Sequence, residues 1–332
     1  MPTIQDVAKL AGVAPITASR VISHSGYSSR DVRERVLKAV EELGYVPNTL
    51  ARSLRSRKTE TLALILTDIT NPFFTTIARG VEDAASDAGY TVIFCNTDES
   101  EDEERKYLNV MLQKQVDGIL LVPAGGGLKS LQMARDQHTP VVVIDRRAGG
   151  ENVDVVRCDS EGGASDLARL LISLGHQRIA MLTGPAGVST ADDRAAGYRL
   201  AMDEAGLESQ ILTGSFTQAS GGEMTRQALS AQPQPSALIA ANNFIAIGAL
   251  IALREMGLRV PKDVALVGFD DLPAGLVTFP FLTVAAQPAY EMGCRATRRL
   301  IERLKGIGGE EGREIVLPTE IILRASSGGK KK

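Results

Sequence analysis

Cysteine is scarce in this 332-residue chain: only Cys95, Cys158 and Cys294 occur, far apart. No CxxC pair exists, which excludes zinc ribbons, thioredoxin-like redox centres and disulfide scaffolds; an odd, sparse count fits a reducing compartment. Histidine is as rare, and His24, His138 and His176 match no metal-ligand spacing. Long apolar runs are missing too. The longest candidates, 62–66, 118–122 and 141–144, fall far short of the about 20 residues a membrane helix needs. The first residues, Met1 to Asp6, do not read as a secretory signal, so a cytoplasmic protein with no membrane partner is expected. There is no P-loop and no GxGxxG after a strand; Gly125-Gly126-Gly127 lacks a following GK[ST] and reads as a turn. Asp145–Arg146 has no evident nucleophile or base beside it, so neither an enzyme nor a cofactor or metal site is expected.

What the chain does have is enough apolar content, 44%, for two or three cored units, and an uneven charge. Residues 1–58 carry ten Lys and Arg against five acids, a local charge of +5, while the remainder carries −8. A basic end on an acidic body points to a polyanion partner for the first segment. Thr3 and Asp6 form a helix-start pair, and Ile4, Val7, Ala8 and Ala11 then share one face. Gly12 ends that helix, and Pro15 opens a second that carries Thr17, Ala18, Val21 and Ile22. Two short helices around a glycine turn predict a helix-turn-helix. Ser28 and Asp31 repeat the capping pattern before a third helix, 29–43, expected to bury Val32, Val36, Leu37, Val40 and Leu43. Asn48 caps a fourth, very short helix over 49–55, which is marginal alone in water because nucleation is costly. From Thr61 onward, β-branched runs alternate with amphipathic stretches, predicting two doubly wound parallel-sheet lobes. The fold class expected is therefore an all-α helix-turn-helix headpiece on an α/β body.

The segments TIQDVAKLAGVAPITASRVIS, GYVPNTLARSLRSRKT, DITNPFF, VDGILLVP, VIDR, LGHQRIAMLTGP, VALVGFDD and LTVAAQP resemble, in order, successive signatures of LacI/GalR regulators. The resemblance implies a type I periplasmic-binding-protein-like body, dimerisation through that body, and a sequence-specific repressor of a pseudo-palindromic double-stranded DNA operator. It divides the chain into a headpiece (1–46), a hinge (47–60), a two-lobed sensor (61–325) and a disordered tail (326–332). Lobe one is expected over about 61–158 and 289–317, and lobe two over about 159–288 and 318–325. In helix-turn-helix proteins the second helix enters the major groove by its N-terminal end. That end offers Pro15, Ile16, Thr17, Ser19 and Arg20, with Arg20 able to reach a guanine; Thr3 joins the contact set. Pro15 and Ile16 read a thymine methyl or shape, and Ala14 stands where the family has a Ser cap. By resemblance, Leu50, Ala51, Leu54 and Arg55 dock in the minor groove, Leu54 as an apolar wedge.

In doubly wound sheets ligands sit beyond the carboxyl ends of strands. Those positions hold Asn71, Phe73, Phe74, Asp145, Arg146, Arg194, Phe216, Asn242, Asp270 and Gln287. Phe rings cover the C–H faces of a sugar, carboxylates accept from hydroxyls, and Arg, Asn and Gln donate. Two Asp balance two Arg, so the site is expected to be near neutral and closed to strongly anionic ligands. These ten residues resemble in type those of ribose-binding proteins and ribose repressors, which makes D-ribose the first candidate, with ligand releasing the operator. Asn243 stands where an Asp is common, and Ala285-Ala286 replace larger residues. A purine, nucleoside or hexose, or a ligand acting as corepressor, stays open. With no C-terminal heptad run, a homodimer is expected.

Overall fold

The computed structural model describes residues 2–23, 26–46, 58–150, 152–273, 279–307, 309 and 311–328. The chain divides into two compact units, Met1–Thr59 and Glu60–Lys332. The first contains α1 (Ile4–Ala11), α2 (Pro15–Ile22) and α3 (Arg30–Leu43). Its core is small and closely packed: Val7, Ala8, Ala11, Ala18, Val21, Val36 and Ala39. The start of α1 is a capping box in which Thr3 and Asp6 satisfy each other's orphan groups. At its end Gly12 takes a left-handed φ of 63°, and Arg35 of α3 donates to the Ala11 carbonyl at 2.7 Å. The cap of α3 is Ser29, which accepts from Val32 N at 3.4 Å, and not Ser28. Leu37, expected inside, is 47% exposed, because the apolar stripe of α3 is already completed by Val32, Val36, Ala39, Val40 and Leu43. The short helix expected over 49–55, and with it Leu50, Ala51, Leu54 and Arg55, lies outside the described residues.

The second unit alternates strand and helix: β1 (Thr61–Leu66), α4 (Pro72–Asp87), β2 (Thr91–Asn96), α5 (Glu101–Gln113), β3 (Gly118–Leu121), α6 (Leu128–Asp136), β4 (Val141–Ile144) and β5 (Asp154–Cys158). It continues through α7 (Ser160–Ser173), β6 (Ile179–Thr183), α8 (Ser189–Glu204), β7 (Gln210–Thr213), α9 (Gln218–Ser230), β8 (Ala237–Ala240), α10 (Asn243–Glu255), β9 (Ala265–Phe269) and β10 (Thr283–Ala286). The last elements are α11 (Ala289–Leu304), β11 (Glu314–Leu317) and β12 (Glu320–Ile322).

Two six-stranded sheets result, in the orders β11-β5-β4-β3-β1-β2 and β12-β10-β9-β8-β6-β7. The two orders are the same once each of β1–β5 is matched to the strand five places on and β11 to β12, so β4 of one lobe is equivalent to β9 of the other. All described pairings are parallel except β12 on β10, which is antiparallel. That exception has a geometric cause. The chain leaves β11 at its carboxyl end and crosses directly, through residues 318–319, into the facing carboxyl edge of the other sheet, so it must run backwards there. The inner strands are buried nearly throughout, in keeping with sheets covered on both faces, whereas the edge strands β2, β7, β11 and β12 are partly exposed.

Residues 326–328, expected in a disordered tail, are ordered. Ser326 and Ser327 lie in a 3-10 turn and are fully buried; Thr283 N donates to Ser326 Oγ at 2.8 Å, and Ser326 Oγ donates to the Leu266 carbonyl at 2.5 Å. A Ser/Gly-rich composition carries no signal for such side-chain–backbone pairing. Among the described residues no helix is long and apolar enough to cross a membrane.

Candidate effector cleft and nucleic-acid interface

In the headpiece the second helix presents what the sequence predicted. Ala18 and Val21 face inward, whereas Pro15, Ile16 and Arg20 are exposed and Thr17 and Ser19 half-buried. Ile16 is 60% exposed, an apolar side chain on a surface where water would favour a polar one. Ala14 makes no side-chain cap; Pro15 has no N–H and Thr17 N donates to the Ala14 carbonyl at 2.9 Å, so in the first turn of α2 the Ile16 N–H is the one left to an outside acceptor such as a phosphate. Thr3 differs from expectation. Its backbone N and its hydroxyl both donate to Asp6 Oδ2 at 2.8 Å, so its donors are spent on the capping box rather than free for a phosphate. Tyr27, not singled out in the sequence, is 95% exposed beyond α2.

In the body a cleft of about 690 Å³ opens between the carboxyl ends of the two sheets. All ten residues expected there line it: Asn71, Phe73, Phe74, Asp145, Arg146, Arg194, Phe216, Asn242, Asp270 and Gln287. The local reasons are legible. Asn71 and Asn242 are helix N-caps, accepting from Phe73 N at 3.0 Å and Ile245 N at 2.8 Å. Phe73 and Phe74 follow at the start of α4, their rings edge to face at 5.1 Å. Asp145 and Asp270 leave the equivalent strands β4 and β9, both with left-handed φ, 69° and 61°, a conformation Asp tolerates better than most residues. Their backbone N–H groups bond the neighbouring strands at Val156 and Ala285, which turns both carboxylates into the cleft from opposite lobes.

Several of these side chains keep a polar atom without a partner. Asp145 Oδ1, Arg146 Nε, Arg194 Nε and Gln287 Oε1 are buried and unbonded. Leaving such an atom unsatisfied costs roughly 1–3 kcal/mol, which a ligand group supplying the bond would recover. The remaining atoms are fixed. Gln287 Nε2 donates to Asp270 Oδ2 at 2.9 Å, and Arg194 Nη1 donates to the Ala241 carbonyl at 2.6 Å while its guanidinium lies 4.1 Å from the Phe269 ring centre. The Phe216 ring rests on the backbone of Gly184, where a side chain would strike it, and the Arg146 guanidinium lies 5.8 Å from its centre. Burial pushes the Asp270 carboxyl up to about 6 and raises Asp145 as well, against the pull of nearby arginines. Burial also pushes the adjacent Cys158 thiol up to about 12, too high for a nucleophile at neutral pH.

The expected charge balance does not hold. Besides Asp145 and Asp270, the lining includes Asp68, Asp98, Glu99 and Glu101, so six carboxylates face two guanidinium groups. Asp68, Asp98 and Glu99 sit in loops after β1 and β2, where no periodicity marks a residue as facing a cavity, and Glu101 opens α5. Sequence reasoning also missed the bonds that cross the cleft. Asn243 Nδ2 donates to Asn71 Oδ1 at 3.0 Å, joining lobe two to lobe one; the Asp common at this position has no donor for that bond. Beside the cleft, Arg147 grips Asp193 with both Nη atoms at 2.6 Å, and its backbone N donates to Ser189 Oγ at 2.8 Å. Among the described residues no cluster of His, Cys, Asp or Glu is arranged to hold a metal ion.

Residues 3–48 match the family model of bacterial regulatory proteins of the lacI family, and residues 59–325 match the model of periplasmic binding proteins and the sugar binding domain of the LacI family. The chain belongs to the LacI family. Its relatives include a ribose operon repressor from Halalkalibacterium halodurans, 37% identical over 329 residues, with 99% of this chain and 98% of the relative covered. Among solved structures, a transcriptional regulator CelR–cellobiose complex is 35% identical, with a TM-score of 0.74 and coverage of 98% and 100%. A LacI family regulator from Enterococcus faecium with bound ribose is 28% identical, with a TM-score of 0.72 over 80% of this chain and 98% of that one. This LacI-family chain is thus a transcriptional repressor, not an enzyme: a DNA-binding headpiece on a sugar-binding-type sensor.

Proposed function

We propose that the chain is a homodimeric, cytoplasmic repressor of a sugar-utilisation operon, whose effector is a small neutral sugar, D-ribose first among candidates. The observation that carries this reading is the set of buried, unbonded atoms in the cleft. Two are donors, Arg146 Nε and Arg194 Nε, and two are acceptors, Asp145 Oδ1 and Gln287 Oε1. A hydroxyl both donates and accepts, so a ring of adjacent hydroxyls can meet all four, while Phe73 and Phe74 cover its apolar edge. Six carboxylates in the lining disfavour an anionic ligand. Relatives named ribose operon repressor at 37% identity support the pentose. Operator contact falls to Pro15, Ile16, Thr17, Ser19 and Arg20, with the 47–60 segment as hinge. A ligand that binds one lobe arrangement better shifts the equilibrium between operator-competent and released states.

The test is calorimetric titration with D-ribose, followed by operator-release measurements. Saturable binding in the micromolar range, with loss of operator affinity, is the expected outcome. Absence of heat at millimolar D-ribose overturns the D-ribose assignment and turns the search to another pentose, a hexose or a nucleoside.

A further inference from the structure

Arg146 is the cleft residue best shaped to seize an anion. A guanidinium fork offers two parallel N–H donors that match a carboxylate or phosphate. In this chain that fork is already filled. Glu99 Oε2 and Oε1 accept from Nη1 and Nη2 at 2.6 Å each, and the Pro123 carbonyl accepts from Nη1 at 2.8 Å. Of its nitrogens only Nε stays buried without a hydrogen bond, with Asp145 Oδ2 3.9 Å away, and Arg146 lines the cleft. Of the second guanidinium, Arg194, Nη1 is held by the Ala241 carbonyl and the group lies 4.1 Å from the Phe269 ring centre, while Nε stays unbonded.

Glu99 reaches this position through an unusual backbone. Asp98 and Glu99 both adopt left-handed φ, 50° and 58°, and Glu99 N is tied to the Thr67 carbonyl at 3.2 Å. Two consecutive non-glycine residues in that region are sterically disfavoured unless other contacts hold them, and the fork on Arg146 is such a contact. The Glu99 side chain is 36% exposed, whereas that of Arg146 is 3% exposed. The carboxylate therefore approaches from the solvent side and caps a buried cation.

We infer that Glu99 is a positioning and specificity-determining residue: it occupies the fork of Arg146, excludes sugar phosphates and sugar acids, and leaves Nε directed at a neutral hydroxyl. This rests on the sugar-sensor reading above. An anion taking the Arg146 fork would have to displace Glu99 and leave that carboxylate unpaired among Asp68, Asp98, Glu101, Asp145 and Asp270. A neutral sugar meets no such conflict.

The test titrates D-ribose, D-ribose 5-phosphate and inorganic phosphate into the wild-type protein, Glu99→Gln and Glu99→Ala, with melting curves to confirm that all three fold. Glu99→Gln removes the charge while keeping the shape. Glu99→Ala frees the fork. The wild type is expected to bind D-ribose and to show no saturable heat with either phosphate compound. In Glu99→Ala the affinity for D-ribose 5-phosphate and phosphate should rise at least about tenfold, as expected for a freed charge-assisted fork, with D-ribose altered far less; Glu99→Gln should fall between. Phosphate reads the fork whatever the sugar. Its gain in Glu99→Ala without D-ribose binding overturns the D-ribose assignment and upholds the filter. D-ribose binding with no anion gain in either variant overturns the filter. Equal loss of all ligands in variants that still fold also overturns it, since it marks a merely structural ion pair.

Discussion

At the scale of single residues, the cleft is assembled from groups that cost stability. Asp270 shows how. Its carboxyl titrates at about 6 instead of the ordinary 3.8, chiefly because burial penalises its charge. Between those two values the folded chain holds a proton that the unfolded chain has released. Stability contributed by this group therefore falls as pH rises from about 4 to about 6 and is level above. The shift corresponds to at most roughly 3 kcal/mol, less where solvent reaches the cleft. Asp270→Asn should raise the melting temperature at pH 7.5 and leave it nearly unchanged at pH 4. The same variant should bind sugar at least several-fold more weakly, because the ionised carboxylate is the better acceptor. For the wild type, sugar affinity should decline as pH falls through 6; a flat profile between pH 5 and 8 would mean that Asp270 does not face the ligand. In the headpiece, Arg20→Ala should cost about 1–3 kcal/mol of operator affinity and relax preference at one base pair. A uniform loss across operator variants would instead mark Arg20 as a phosphate contact.

At the scale of elements, the lobes depend on helix pairs that touch through glycine. A Cβ on Gly293 of α11 would lie 2.2 Å from the Ile77 carbonyl of α4, and one on Gly80 of α4 would lie 2.1 Å from the Tyr290 carbonyl of α11. Lobe two repeats the device, with Gly248 of α10 against the Gln218 carbonyl of α9 at 2.0 Å. Each obstacle is backbone, so it cannot swing aside. Gly293→Ala should destabilise the body by about 1–3 kcal/mol or more through overpacking, read as a lower denaturant midpoint. A neutral result would show that the two helices can slide apart. The pattern of small residues on these helices was visible in the sequence, yet which glycines mark a crossing was not. That depends on which helices become neighbours, and α11 packs on α4 from more than two hundred residues away.

At the scale of the whole molecule, function turns on how the lobes of the body are held together. Arg147–Asp193 and Asn71–Asn243 both bridge them, the first outside the residues that line the cleft. Any bond present in one lobe arrangement and absent in the other biases the equilibrium between them, and so shifts the affinity of whatever binds the two arrangements unequally, ligand or operator. Arg147 is 46% exposed, so the pair is worth no more than about 1 kcal/mol. Arg147→Ala and Asp193→Ala should each weaken sugar binding several-fold without touching the ligand, and the exchange Arg147→Asp with Asp193→Arg should recover part of the loss. Unchanged affinity in both single variants would remove this pair from the switch.

The sequence by itself determined the family, the helix-turn-helix, the βα alternation and the ten strand-end residues that line the cleft. These are local properties: a cap, a turn glycine, a β-branched run, or the residue that follows a strand. The tertiary structure alone decided the rest. Glu99 reaching Arg146, Arg147 reaching Asp193, Asn243 reaching Asn71 and the burial of Ser326 and Ser327 all join parts of the chain that lie far apart in sequence. So does the acidic excess of the cleft, because a carboxylate in a loop gives no periodic sign of which way it faces. Chain order sets which side chain follows a strand, whereas the partner that side chain meets is set by how two sheets close over the same space.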